Sequence, residues 1–362
     1  MATMEDQTSA PVRVATAPAR APFPYRRMFL LAAVAVLLVA YPSLFPSGFA
    51  QNVGVNALTF AVAATGWNLL GGFTGQVSFG HAVFFGAGMY TTALFVMNGM
   101  SPWLSMLPAA VIAAGFGLLI GLPCFRLRGH YFSIATIAVG EIALTVAIDR
   151  SWVGGSEGLT LPLLDESLWN LQFSLRDLTQ YYYVILGIFA VVTLVSFLFV
   201  RGKAGRYVRA IRDDDRAAAA IGVPVRRYKL IAVALSGAIT AWAGSFQVMH
   251  ALFVDPPSAL DLAVSIQIAL IAVFGGAGSL WGPLLGGWSI IFIQSYTSVH
   301  WASPGRPIDL LIYGALITVI AVVEPSGLVG LLRRARRFVN RRFSVRGTAT
   351  PATPVTVVGD GS

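Results

Sequence analysis

Long apolar runs alternate with short polar or glycine-rich breaks along almost the whole chain. The runs fall at about 28–46, 53–71, 78–97, 103–124, 131–149, 181–200, 230–250, 262–275, 283–299 and 308–323. About 20 apolar residues make one helical crossing of a bilayer. The pattern therefore predicts an all-α, polytopic transmembrane helical bundle of about ten spans, with both termini cytoplasmic. Residues 1–27, rich in Ala, Pro and Arg, read as a disordered cytoplasmic tail. Residues 28–330 make the transmembrane domain. Residues 331–362 begin basic and end, from Gly347 to Ser362, without apolar periodicity, as a second disordered tail. Gly48, Phe49 and Ala50 offer small residues where a signal peptidase would cut, but an uncleaved first helix is the expectation.

One polar stretch departs from the short breaks. Arg201 to Lys229 is long enough to hold a short surface helix between two spans. Asp213, Asp214 and Asp215 suit a helix N-terminus, where unpaired N–H groups and the dipole favour negative charge. Ala217, Ala218 and Ala219 continue as strong helix formers, and Gly222 with Pro224 supplies a stop. A capped helix held off the membrane by two spans is a docking element.

Composition agrees with the pattern. The 362 residues are 56% hydrophobic and 11% charged, with a mean hydropathy of +0.72. Soluble proteins carry about 25% charge, so no sizeable extramembrane domain is expected. The 37 glycines suit close approach of helices in lipid. The net charge of +9 is distributed by topology. With the N-terminus inside, 22 of the 25 basic residues are cytoplasmic, leaving only Arg150, Arg176 and Arg306 outside. That is the positive-inside rule, and it removes the reason to invoke a nucleic-acid partner. The outside loop from Arg150 to Gln180 is acidic instead. It is read either as a solvated connector or as carrying a small amphipathic helix. A single cysteine, Cys124, and four scattered histidines offer no disulfide and no metal-ligand spacing.

Two Gly-rich segments, one carrying Gly72 and Gly75, the other Gly276 and Gly278, are expected to interrupt spans at similar places in the two halves. They mark either a pathway of discontinuous helices or close packing by small residues. Glu141 sits near the middle of a span, where a charge costs roughly 2.5–3.5 kcal/mol. It either lines a pathway or ties its helix to the Gln76–His81 segment. Gln76, Ser78 and His81 are candidates to line the same cavity. Ser78 and His81 share a helix face if that helix begins near Val77. Gln267 and Gln294 are further buried-polar candidates.

The Asp213–Asp215 run also raises Mg²⁺–diphosphate chemistry. A second carboxylate cluster to clamp the metal is missing, and Arg209, Arg212 and Arg216 would neutralise the aspartates. The only lysines, Lys203 and Lys229, lie in no ATP-binding loop, so any nucleotide must be supplied by a partner.

Four motifs resemble the permease subunits of high-affinity branched-chain amino acid ABC importers, LivM type. They are Gly75-Gln76-Val77-Ser78-Phe79-Gly80-His81 running to Tyr90, Leu127 to Phe132 with Gly140-Glu141-Ile142, Gly154 to Leu159, and Gly275 to Pro283. Arg206 to Leu230 is similar to the family's ATPase-docking loop, and the resemblance covers about residues 55 to 330. His130 stands where the family often has an acidic residue, and the docking segment lacks a glutamate after the aspartates.

The resemblance implies a non-enzymatic transport subunit of the bacterial inner membrane, binding no cofactor itself. Its implied partners are a homologous second permease, two ATPases carrying ATP-Mg, and a periplasmic binding protein that delivers the solute. Importers of urea, short amides or other amino acids are the nearest alternatives, and an ion-coupled secondary transporter is the rival from another class.

Overall fold

The computed structural model describes residues 25–127, 130–174 and 177–301, together with 314–315, 327–331 and 334. Most of the expected tails and of the tenth span, with Arg128, Gly129, Arg176 and Arg306, lie outside the described residues, and residues 25–27 of the first expected tail are helical. The chain divides into two compact units, residues 1–44 and 45–362. The first holds a single apolar helix, α1 (Tyr25–Leu44).

The second unit is a helical bundle. Its helices are α2 (Gly48–Trp67), running on as a π-helix (Asn68–Phe73), then α3 (His81–Met97), α4 (Pro102–Cys124), α5 (His130–Asp149) and α6 (Thr179–Arg201). Two short helices follow, α7 (Lys203–Asp213) and α8 (Asp215–Ala220). The rest are α9 (Val225–Ala251), α10 (Pro256–Leu260), α11 (Leu262–Gly276) and α12 (Gly282–Trp301). Six of the described helices are long and apolar enough to cross a membrane, so the protein is an all-α, multi-pass membrane protein.

Helix ends follow local chemistry. The Ser47 hydroxyl accepts from the Ala50 N–H at the start of α2, and Pro102 opens α4, where a missing N–H costs nothing. Asp261 accepts from the Ala263 N–H at the start of α11.

α9 is the axis of the bundle, packed against α2, α3 and α4. Lipid tails are as apolar as leucine, so burial alone does not drive one span against another, and close backbone approach must. A Cβ on Gly88 would run into the Ala241 carbonyl, and one on Gly244 into the Phe85 carbonyl. Glycine is therefore required on both sides of the α3–α9 crossing.

The loop from Arg150 to Leu178 is neither a solvated connector nor an amphipathic helix. Two single 3-10 turns (Ser151–Val153 and Gly155–Glu157) lead into β1 (Leu159–Thr160), antiparallel to β2 (Phe253–Val254) after α9. Gly158 sits at φ +79, with the Val254 carbonyl where its side chain would be. Buried Gln172 bonds the Leu164 N–H and the Pro162 carbonyl, and Trp103 donates to the Leu168 carbonyl. The loop is a folded cap over one end of the bundle.

Candidate functional site

The opposite end gathers nearly all the residues singled out by the sequence. Instead of one helix at 213–221, the polar loop forms two, broken at Asp214. This residue is extended (φ -159, ψ 115), and its carboxylate accepts from the N–H groups of Arg216 (2.7 Å) and Ala217 (3.0 Å). Those bonds, that to Ala217 foremost, hold the Asp214 carboxyl below the usual carboxylate range. Asp215 pairs with the buried Lys229 ammonium of α9, and Asp213 ends α7. The aspartate run is thus spent on structure: one cap, one ion pair, one helix end. Of the arginines expected to neutralise it, Arg216 does act on the Asp214 carboxylate, while the other two do other work. Arg209 donates to the carbonyls of Gly205 and Val200, and Arg212 reaches across the glycine segments.

The elbow between α7 and α8 has its own small core. Ala218 packs with Ile211 and Val223, beside Tyr207 and Tyr228, whose rings meet edge-on at 4.7 Å. Ala218 is therefore a packing residue of the elbow, unlike its exposed neighbours Ala217, Ala219 and Ala220. Ile221 is 78% exposed beside them. Gly222 at φ +83 ends the helix, where any side chain would be strained.

The two glycine segments do not interrupt spans. Each lies at a helix end, and the two are locked to one another. Asn68, 1% exposed, accepts from the Gly278 N–H (2.7 Å) and donates to the Ser279 carbonyl (2.8 Å). Gly72 lies directly under Gly278. A side chain on Gly75 would stand 3.1 Å from the Arg212 Cγ, and one on Gly278 would meet the Arg212 guanidinium. Gly276 (φ +124) and Gly278 (φ +77) need conformations that L side chains avoid. Of the two readings, close packing describes these glycines.

α3 begins at His81 and not near Val77, so Ser78 lies outside the helix and the two share no helical face. Both are buried, Ser78 at 3% exposure and His81 at 0%. The Ser236 hydroxyl donates to the Gly66 carbonyl and so accepts from His81 Nε2 at 2.8 Å. His81 is a packing residue set between Trp67 and Phe84.

Residues 77–82 are pinned by four side chains from three helices. The Trp67 indole donates to the Ser78 carbonyl and the Ser133 hydroxyl to the Val77 carbonyl, while Thr136 accepts from the Phe79 N–H and Ser265 from the Ala82 N–H. α5 is tied to this segment by Ser133 and Thr136 rather than by Glu141. Gln76 is half-buried and lines a cleft beside α8. Gln267 and Gln294 bond one another (2.9 Å), joining α11 to α12.

Residues 49–321 match the family described as the permease component of the branched-chain amino acid transport system. The chain belongs to this permease family. It is 27% identical to the high-affinity branched-chain amino acid transport system permease protein LivM of Escherichia coli, over 87% of this chain and 78% of that protein. It is 25% identical to LivH of Salmonella typhimurium, over 75% of this chain and 91% of that one. A probable LivM of Methanocaldococcus jannaschii is 22% identical over 61% of this chain and 67% of its own length.

Within this permease Glu141 stands apart from the other candidates. It is exposed on α5, a helix with few buried residues, and its carboxylate meets no donor among the described residues. Sequence reasoning missed Asn68 and Ser236. An Asn in an apolar run just before Gly71-Gly72 was the available signal for the first; nothing marks Ser236 among the serines of the spans.

Proposed function

We propose that this permease is one of two membrane subunits of an ATP-driven importer in a bacterial inner membrane, carrying branched-chain amino acids delivered by a periplasmic binding protein. The match over residues 49–321 carries the reading, and the end of the bundle around α8 fits it. One of two ATPases would dock on the exposed side of α8, at Ala217, Ala219 and Ile221, with Gly222 allowing the sharp exit. The aspartates would hold the helix in shape, Asp214 as its cap and Asp215 through Lys229. A push on α8 then has two stiff outlets: the Asp215–Lys229 pair into α9, and Arg212 into the locked glycine segments. Glu141, unpaired near the middle of α5, needs water or protein beside it. Its face of α5 is where the second permease would close the pathway, with the carboxylate lining it. Gln76 would line the mouth near α8, while Ser78 and His81 hold the wall.

The test is co-reconstitution of the chain with its ATPases and second permease in proteoliposomes, reading ATP hydrolysis and solute uptake together. Ala219→Arg is expected to leave hydrolysis in place while uptake falls at least tenfold, and unaltered coupling would count against the docking assignment. Competition of labelled leucine uptake by isoleucine and valine, but not by urea, is expected; the reverse order would replace the solute class.

A further inference from the structure

Next to α8 lies a cleft of about 560 Å3, walled by the turn after α4 and the first turn of α9. Arg126, Arg216, Arg226 and Lys229 line it against a single acid, Asp215, which Lys229 already holds. None of the three arginines forms a close ion pair among the described residues, although the charge of Arg216 also acts on Asp214. Val225 and Arg226 belong also to a second, open groove of about 1120 Å3 that runs along the outside of α4 and α9. Leu118, Leu122, Leu230, Ala234 and Ala238 line that groove, with Arg227 beside Arg226 at its head.

From Val225 to Ala238 the groove follows α9 for about 20 Å at 1.5 Å per residue, enough to traverse one leaflet of a hydrocarbon core about 30 Å thick. A basic cleft opening into an apolar groove has the two-part chemistry of a charged lipid. Basic pockets between spans at the cytoplasmic face hold anionic headgroups. Arg226 and Arg227 in the first turn of α9 also run against its dipole, a placement that a bound anion offsets.

We propose that cleft and groove together hold one anionic phospholipid, with its phosphate among Arg126, Arg216 and Arg226 and an acyl chain along α4 and α9. Because Arg216 belongs to α8 and Arg226 to α9, such a lipid bridges the elbow to the bundle axis. The stiffness of α8 then depends on the charge of the surrounding leaflet. This inference stands whatever solute is carried.

The experiment uses the intact chain, extracted with its membrane partners in mild detergent. It is titrated separately with phosphatidylglycerol, phosphatidylcholine and inorganic phosphate, reading the unfolding midpoint and, by native mass spectrometry, the lipid retained. Phosphatidylglycerol is expected to be retained, and to raise the midpoint, at a concentration at least tenfold lower than phosphatidylcholine, with inorganic phosphate inactive. The R126Q/R226Q double variant should lose that preference, while R126K/R226K keeps most of it and shows that the fold survives. Ala234→Trp, which fills the groove, should lower lipid retention several-fold. Equal response to the two lipids, or the same preference in R126Q/R226Q, overturns the proposal. A shift reproduced by inorganic phosphate alone makes the cleft a free-anion site and overturns the lipid. Should the glutamine variant not fold, the three-ligand comparison on the native chain decides by itself.

Discussion

α5 and α9 both have the length and apolarity of membrane spans, yet 67% of an apolar 18-residue stretch of α9 is buried inside the bundle and only 17% of the like stretch of α5. The more apolar of the two is the more exposed. In water that order would be reversed; in a bilayer, apolar side chains face lipid and small or weakly polar ones face neighbouring helices. α9 carries Ser236, Gly237, Thr240, Gly244 and Ser245, all buried, where α5 offers lipid or partner Tyr131, Ile134 and Ile142. Hydropathy locates a span; the small residues within it say whether it is an axis or an outer wall.

The sharpest way to break this contrast is to give both helices a bulkier side chain. Gly244→Leu on α9 drives a side chain into the Phe85 carbonyl, with no flexible group there to yield. Overpacking costs about 1–3 kcal/mol, and a clash with backbone belongs at or above the top of that range. Gly140→Ala on α5 meets nothing within 4 Å, so it should be neutral or slightly stabilising. Monodisperse yield and unfolding midpoint, measured side by side, check both; equal tolerance would remove α9 from the axis.

Next in size is the lock between the glycine segments. Asn68→Ala removes both of its hydrogen bonds and strands the Gly278 N–H. A buried polar group left without a partner costs about 1–3 kcal/mol. Asn68→Asp keeps an acceptor for Gly278 but buries a carboxylate oxygen against the Ser279 carbonyl, so its midpoint should fall at least as far as that of Asn68→Ala. An Asn68→Ala midpoint indistinguishable from wild type would mean that the lock contributes nothing.

The helical architecture was legible because apolar runs, caps and charge asymmetry are local signals, and α2 to α6, α9, α11 and α12 lie close to where those signals put them. The site was legible in its parts but not in its arrangement. Gly72 and Gly278 are far apart in sequence, and only the fold reveals that Asn68 joins them. Ser78 and His81 looked like cavity residues because polar side chains within spans are scarce. Trp67, which bonds the Ser78 carbonyl, and Ser236, which bonds His81 Nε2, sit on other helices, so the burial of both residues could not be read from the chain. Likewise the aspartate run looked like a single N-terminus, but Asp215 answers to Lys229, on a different helix.

Glu141 sharpens the comparison from the α5 side. Unlike Gly244, its side chain has no hydrogen bond or ion pair to lose among the described residues, so Glu141→Gln should leave the unfolding midpoint of the isolated chain unchanged. In the assembled importer the same variant is expected to reduce uptake several-fold while the second permease still copurifies. Wild-type uptake would take Glu141 out of the pathway, and loss of copurification would make it an assembly residue instead.

The smallest effect belongs to the cap of α8. Asp214→Asn keeps a side-chain oxygen for the Arg216 and Ala217 N–H groups, and asparagine caps about as well as aspartate, whereas Asp214→Ala removes the acceptor. Amide exchange in α8 should therefore speed up in the alanine variant and stay near wild type in the asparagine one. The same bond has a pH signature. The Asp214 carboxyl is held below its ordinary range in the folded state, so its contribution is fully present above the unfolded value near 3.9 and is lost as pH falls through the lower folded value. After correction for intrinsic exchange, protection of Arg216 and Ala217 should decline only in acid in the native chain, and hold to lower pH in Asp214→Asn, which has no proton to take up. A decline at the same pH in both would assign it to another group and leave the elbow held by Ala218 and the Asp215–Lys229 pair alone.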